Sequence, residues 1–567
     1  MRLASIQKVG AAGSCFFLLG LIMQTQISPA LLQYATKKSV CLKEGNMFRS
    51  IWSKLPFAIE FRVYMFNVTN HEDVEATGAK PIVREIGPYV YDMWHEKIKQ
   101  RDRDEDDTVA FMVKDTFYYN KTKSKKLTGD EEIIVPHYFM LGMIHTILRV
   151  HPTTLPLIVK GLNSIFRKPS SMFIKAKVRE ILIDGLPIDC NVTDSAGLAI
   201  CNELHAKWEE YHLKKLDTKT FALSVIGWMN ASEDGDEYRV KRGIADVMEV
   251  GKIVALNDQD KLSVWDDEVC DSFHGTAGIL YQPFFDKTGK DVLAIFASEL
   301  CRSLVVYYES IGQFKGMRTL RYTADFGVDV DSHPHHRCYC HKSASCQMKG
   351  IFDLYKCVGT PIIVSHPHFF DADPYFITTV EGLSTDKKKH KIIADFHPST
   401  GALINANFRA QVNMFLTKVE KFKLMRNFPE ALLPLFWVDN VVILPKWILR
   451  ILKMSDKIIT SMELVNFTMI FGGLAMLLFA VFQYQQSIHV TSLVLEQKST
   501  QTDAQAGSTG PADGHDDHAA QQQNLVMTLT RNVDREADEL AEGRAKTAVY
   551  HQNSISVQPR AYSSYLE

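Results

Sequence analysis

Two apolar stretches, one near each end of the chain, constrain everything folded between them. The first spans residues 9–29, through Phe16, Phe17, Leu18, Leu19, Leu21 and Ile22. Arg2 and Lys8 precede it, and Gln24, Thr25 and Gln26 weaken its end. A hydrocarbon core of ~30 Å takes about 20 residues of helix, so the stretch fits a membrane span. A cleaved signal peptide is the rival reading. The second covers 464–484, is rich in Phe, Met and Leu, and carries Gly472 and Gly473 but no charge. Two spans put residues 1–8 and 485–567 on one side of a bilayer and residues 30–463 on the other.

Charge does not orient the spans, because Lys37 and Lys38 follow the first as Arg2 and Lys8 precede it. Sequons and cysteines do. Asn-x-Ser/Thr occurs at Asn67, Asn120, Asn191 and Asn230, all between the spans. A fifth, at Asn466, lies inside the second span, where a glycosylating enzyme has no access. Of ten cysteines, Cys15 is in the first span, Cys41 just beyond it, and eight fall between Cys190 and Cys357. Such clustering on the sequon-bearing side reads as a disulfide framework in an oxidising compartment. Residues 30–463 are thus expected to be a glycosylated ectodomain, with both termini cytoplasmic.

Composition excludes several classes. A net charge of −2 over 567 residues does not suit a nucleic-acid binder. A mean hydropathy of −0.10 does not suit a polytopic channel. The tail from Gln485 onward holds six Lys/Arg and eleven Asp/Glu, so it is near −5 and the remainder near +3. That tail is polar, lacks the apolar content to fold alone and is expected to be disordered; Arg531 to Arg544 could form a short helix on a partner.

Between the spans, Ile59 to Val68, Tyr89 to Tyr91, Val109 to Phe117, Phe221 to Trp228 and Ala406 to Leu416 are β-branched or aromatic and separated by turn residues. They predict a large, mostly antiparallel sheet or barrel. From Tyr138 to Leu182 the period changes. Met140 to Leu148 and Leu157 to Ile165 fit helices, broken by Pro152 and Pro156, and a third helix is expected over Phe173 to Ile183. These read as an apolar helical cap on a β-rich body, or as ordinary core helices. Residues 446–459 form an amphipathic basic helix that either lies on lipid or packs on the ectodomain.

Positive signs of enzymatic chemistry are lacking: no Gly-x-Ser-x-Gly, no His-Glu-x-x-His and no phosphate-binding glycine loop. We expect a non-enzyme without cofactor. The run His333, His335, His336, Cys338, Cys340, His341 with Cys346 could bind zinc, but disulfides are favoured in an oxidising compartment. Cys338 and Cys340 are too close to pair with each other. His366 and His368 read as satisfied residues of a buried turn, and Asp104 to Asp107 as a solvated acidic run.

Several segments carry a resemblance. They are Arg84-Glu-Ile-Gly-Pro-Tyr89, Leu300-Cys-Arg-Ser-Leu304, Ser365-His-Pro-His-Phe369 with Asp373-Pro374, Phe396-His-Pro-Ser-Thr-Gly401, Arg409 to Asn413, and Leu433-Pro-Leu-Phe-Trp437. With the two-span layout, they resemble the class B scavenger receptor (fatty-acid translocase) family from about residue 9 to 485. Within it, Trp52 to Asn70, Gly129 to His137 and the Cys190/Cys201 pair are most similar to the insect sensory neuron membrane proteins, and the long tail to their type 1.

The resemblance implies an antiparallel β-barrel with an apical helical bundle and an internal hydrophobic tunnel, anchored by two transmembrane helices. It implies disulfides Cys270–Cys338, Cys301–Cys357 and Cys340–Cys346; Cys190–Cys201 is added from its spacing. It implies a plasma-membrane co-receptor of olfactory sensory neurons or their support cells. The ligands would be long-chain and hydrophobic, pheromones and fatty-acid derivatives, captured at cap cations for which Arg167 and Lys168 are the candidates. They would pass down the tunnel to an odorant receptor complex in the same membrane, with odorant-binding proteins as further partners. A general lipid-uptake receptor or a lysosomal sorting receptor is the alternative.

Overall fold

The computed structural model describes residues 2–278, 280–284, 293–327, 338–339 and 348–506. Cys340, Cys346, His333, His335, His336, His341 and the tail from 507 lie outside them. The described chain forms two units, one of residues 16–471 and one that pairs residues 1–15 with residues from Gly472 onward.

The body of the larger unit is a thirteen-stranded antiparallel sheet. Its first strand, Ile59–Val68, lies between Val83–Arg103 on one side and the last strand, Ala431–Ile443, on the other. Glu60 pairs with Val441 and Met65 with Phe436. The two ends of the ectodomain are thus neighbours, and both apolar helices leave from the same edge. Ile59, Phe61, Val63 and Met65 alternate inward and join Tyr89, Tyr91, Met93, Phe117, Tyr322 and Phe396 in the barrel core.

A short segment at Gly275–Thr276 almost closes the sheet. The strands Ile253–Leu256 and Leu293–Ala297 end the ladder. Ile253 N donates to Gly275 O at 3.1 Å, while Thr276 N donates to Ala294 O and Phe296 N to Thr276 O. Gly275 has φ +78°, and a Cβ there would lie 2.0 Å from Ala294 O. Only glycine meets both demands.

The outer face of the first and last strands is a polar wall. Arg62, Asp439 and Arg409 are cross-strand partners, and Asp439 also accepts from Asn407 at 2.9 Å. Beside them Tyr64 stacks on Trp437 at 3.8 Å. The Trp437 indole donates to Glu85 Oε2 at 2.7 Å, and His368 Nε2 lies 2.6 Å from the same oxygen. Gln411 Oε1 accepts from His368 N. Three of the segments that carry the resemblance therefore meet at one carboxylate. Burial would raise the Glu85 pKa, but these hydrogen bonds outweigh it and hold the group ionised. His368 has both ring nitrogens occupied; His366 is buried, and its Nδ1 has no partner among the described residues.

Three local expectations are corrected. Phe173 to Ile183 is not a helix: Phe173–Lys177 is a strand paired with Glu132–Pro136, followed by a π turn at Glu180–Asp184. Cross-strand contact decides it, with Lys175 2.6 Å from Glu132. Phe221 to Trp228 is a strand only to Leu223. Beyond it Val225 and Ile226 donate to the π turn, and Gly227 sits so close to Ile183 O that a Cβ would fall 1.9 Å away. Nor is Asp104 to Asp107 merely solvated. The buried Arg242 contacts Asp102, Asp104 and Asp107, and Asp107 accepts the amides of Ile244 and Ala245.

The cap consists of helices Tyr138–Val150, Leu155–Ile165 and Ser195–Lys207. The last two cross closely, since a Cβ on Gly161 would be 2.7 Å from Ala196 O. Disulfides join Cys190 to Cys201, Cys270 to Cys338 and Cys301 to Cys357. Cys15 and Cys41 are free.

Among the described residues two helices are long and apolar enough to cross a membrane, Ala4–Val40 and Lys446–Thr500. The second is part of one unbroken helix, Lys446–Ala506, that does not stop at 484. A helix already nucleated in an apolar segment extends at little cost into Gln-, Leu- and Glu-containing sequence. At its start, Leu449 and Leu452 pack on Met317 and Ile404, while Trp447 and Ile458 face outward. Gln24, which weakened the first stretch, has a partner: Asn466 Nδ2 donates to Gln24 Oε1 at 3.0 Å and to Ser28 Oγ at 2.8 Å.

Two outcomes follow. Gly275→Ala should destabilise the ectodomain by at least about 2 kcal/mol, read as a lowered thermal midpoint. Gly45→Ala has nearly the same φ, +79°, but open space around it, and should lose clearly less. Asn466→Leu should weaken helix pairing by about 1 kcal/mol in detergent melts. Adding Gln24→Leu should then cost almost nothing more.

Candidate functional site

The helix Leu155–Ile165 turns Leu155, Leu162 and Ile165 into the core. Its opposite face presents Pro156, Val159, Lys160, Asn163 and Ser164, at the i, i+3, i+4, i+7, i+8 spacing of one helical stripe. With Lys168 and Asp194 these residues line an open cleft of about 660 Å³. The helix ends in a tight reversal. Lys168 N donates to Asn163 O at 2.7 Å, and Arg167 and Lys168 take φ of +53° and +57°.

The two sequence candidates separate here. Lys168 lines the cleft. Arg167 forms an ion pair with Asp189 at 2.8 Å and is not among the lining residues. Asp194 is already engaged: Ser164 Oγ donates to it, and its Oδ1 caps the helix Ser195–Lys207 through the amides of Ala196 and Gly197. The Ser164 hydroxyl and these amides hold the Asp194 carboxyl below its ordinary range. Two ammonium groups, Lys160 and Lys168, thus share the cleft with one carboxylate. That arrangement can engage the oxygens of a polar head group.

Sequence reasoning missed Lys160, Asn163 and Asp194. It followed the apolar stripe of this helix and not the complementary one. The Asp-Ser-Ala-Gly run at 194–197 is an N-cap signal, and it was there to be read.

On the other side of this helix lies an apolar core. Met140, Leu141, Ile144, Leu162 and Ile165 of the cap pack with Phe66, Met414, Leu433, Leu435 and Trp437 of the sheet. Tyr138 packs on both the cap core and the barrel core, and its buried hydroxyl has no partner among the described residues. Burial pushes the His137 and His145 rings down to about 4.

The sequons differ in access. Asn191 is exposed beside Cys190. Asn67 sits in the first strand, its Oδ1 accepting from Ile134 N, and Asn230 accepts from Phe117 N. Asn120 Nδ2 donates to Asp92 at 2.7 Å. Asp267, Cys270 and Cys338 lie close enough for a metal, but both sulfurs are in a disulfide and offer no thiolate.

Residues 11–484 match the CD36 family model. The chain is 38% identical over 467 residues to sensory neuron membrane protein 1 of Apis mellifera, covering 82% of this chain and 89% of the relative. It is 35% identical over 493 residues to the protein of that name in Manduca sexta, covering 86% and 93%.

The cap should be sensitive to acid. Unfolded histidine titrates near 6.5, so the stability gained by keeping His137 and His145 neutral is complete above that pH and is lost as pH falls towards 4. The thermal midpoint should drop between pH 7 and 5. The drop should be smaller in His145→Leu; an equal drop would assign the loss to other groups.

Proposed function

The chain belongs to the CD36 family, and on that footing we propose that it is a two-pass plasma-membrane co-receptor for long-chain hydrophobic ligands in insect olfaction. Residues 30–463 would form the glycosylated extracellular part, with Asn191 the most open acceptor. Residues 1–8 and the tail from 485 would be cytoplasmic. The similarity to sensory neuron membrane proteins 1 supports the olfactory setting.

One observation carries the reading: a cleft with two lysines lies on the outer face of a cap helix whose opposite face packs into an apolar core shared by cap and sheet. The head group would be held at Lys168 and Lys160 while the chain enters the apolar interior past Tyr138. Each buried methylene contributes ~0.8 kcal/mol. A twelve-carbon chain would thus gain several kcal/mol, less the cost of ordering it. The route continues as a tunnel towards the membrane, where the ligand would pass to an odorant receptor complex. Odorant-binding proteins would deliver it to the cleft. No step in this sequence requires bond making, and turnover of the ligand is not expected.

The test is saturable binding of a labelled long-chain aldehyde or acetate to the full chain in detergent. Lys168→Glu should weaken capture about tenfold, the size of one charge-assisted contact, with an unchanged melting temperature. Arg167→Glu should have a smaller effect. Absence of saturable binding by the wild-type protein would refute the receptor reading; loss of folding in Lys168→Glu would make that lysine structural.

A further inference from the structure

Two exposed aromatic rings stand beside one sequon on the outer wall of the sheet. In the strand Thr108–Tyr119, Phe117 and Tyr119 pack into the barrel core. Tyr118 between them therefore points outward, and it is 60% exposed. On the neighbouring strand Val83–Arg103, Tyr91 and Met93 point inward, which turns Asp92 and Trp94 to the same outer face. Asp92 is the cross-strand partner of Tyr118. Trp94, 37% exposed, is the partner of Thr116 and so lies diagonal to Tyr118. Asn120 follows Tyr118 by two residues and opens the sequon Asn120-Lys121-Thr122.

The Asn120 carboxamide is held in place and still open to a substituent. A turn begins at this residue: Ser124 N donates to Asn120 O at 3.0 Å and Lys123 N to Asn120 Oδ1 at 2.9 Å. Nδ2 donates one hydrogen to Asp92 Oδ2 at 2.7 Å, and among the described residues its second hydrogen has no acceptor. N-glycosylation replaces one of the two hydrogens, so the bond to Asp92 survives it. Because Asp92 is directly opposite Tyr118, a sugar on Nδ2 starts next to that ring. The other sequons lack such an open ring. Asn67 follows the buried Met65 and Phe66, and Asn191 follows Asp189 and Cys190. Trp228, two residues before Asn230, is stacked on His212 at 4.0 Å.

We propose that Asn120 carries an N-linked glycan whose first sugar packs on the Tyr118 ring and whose second reaches Trp94, so that the chain covers this aromatic face with its own carbohydrate. In the linking step Asn120 Nδ2 bonds to C1 of an N-acetylglucosamine delivered on a lipid pyrophosphate. The C1–O bond breaks, the lipid pyrophosphate leaves with the electron pair, and Nδ2 gives up one proton. A pyranose presents C–H groups on its face. Their slight positive charge suits the negative face of an aromatic ring. The hydroxyls at its rim would meet Asp92 and Lys123, whose Nζ lies 3.1 Å from Asp92 Oδ1 and 2.9 Å from Glu60 Oε2. Two positions along a strand span ~7 Å, close to the length of one sugar unit, which brings the second sugar level with Trp94. The proposal rests on the extracellular placement of residues 30–463 above and deepens it by giving one sequon a structural task.

The experiment uses the full chain, made in a host that glycosylates and purified in detergent, as wild type, Thr122→Ala, Tyr118→Ala and the double variant. Thr122 is exposed, so Thr122→Ala removes the sequon and leaves the Asn120 contacts in place. Glycopeptide mass spectrometry should find Asn120 occupied in wild type and empty in Thr122→Ala. Tyr118→Ala should lower the thermal midpoint of the fraction glycosylated at Asn120 by ~1–2 °C, the scale of one aromatic contact in a unit of this size. On the Thr122→Ala background the same substitution should cost clearly less. Trp94→Ala repeats the comparison if Tyr118→Ala does not fold; if neither folds, the rings are structural and the proposal falls. Glycans at other sequons with none at Asn120 overturn it, as does an equal loss from Tyr118→Ala with and without the sequon. No glycan at any of the four sequons overturns the extracellular placement instead.

Discussion

Most of this fold depends on the pairing of the first and last ectodomain strands. They are separated by more than 360 residues, yet Glu60 faces Val441 across a ladder bond. That contact returns the chain to its starting edge and sends both apolar helices out together. It is reinforced on the outer face, where Asp439 lies between two guanidinium groups and Glu85 accepts from Trp437 beside His368. A buried carboxylate without partners would cost several kcal/mol. Each of these has at least two, and they are drawn from more than one strand or loop. The wall is therefore specific as well as stable: no shifted register satisfies both acids.

The interior follows a different rule. Inward positions are largely apolar, and among the described residues the polar exceptions include the Asp115–His95–Lys97 group and Asn440, which faces Phe61 and Phe408. The buried Tyr138 hydroxyl has no partner among the described residues. A protein that needed only stability would fill these positions with leucine.

Parts of this were legible in the sequence for clear reasons. The strands Ile59–Val68 and Leu403–Leu416 are long, β-branched and bounded by turns, and the first two cap helices carry a strong apolar stripe. Phe173–Lys177 was misread because five residues with Phe, Ile and Ala fit either period; pairing with Glu132–Pro136 decided it. Lys168 was found through its place in a resembling segment. Lys160 and Asp194 join it only because two helices and a turn converge in space. His95, Lys97 and Asp115 gave no signal at all. A lysine in a strand reads as exposed until the facing strand shows that its side is the inner one.

The sequence alone determined the two apolar segments, the enclosed cysteine-rich region and the alternation of its strands. These are local properties, set by the solvent each residue prefers and by the period of the backbone. Only the tertiary structure decided which strands are neighbours, which acids meet which bases and which polar side chains face inward. Those depend on contacts between residues hundreds of positions apart, and no local preference encodes them.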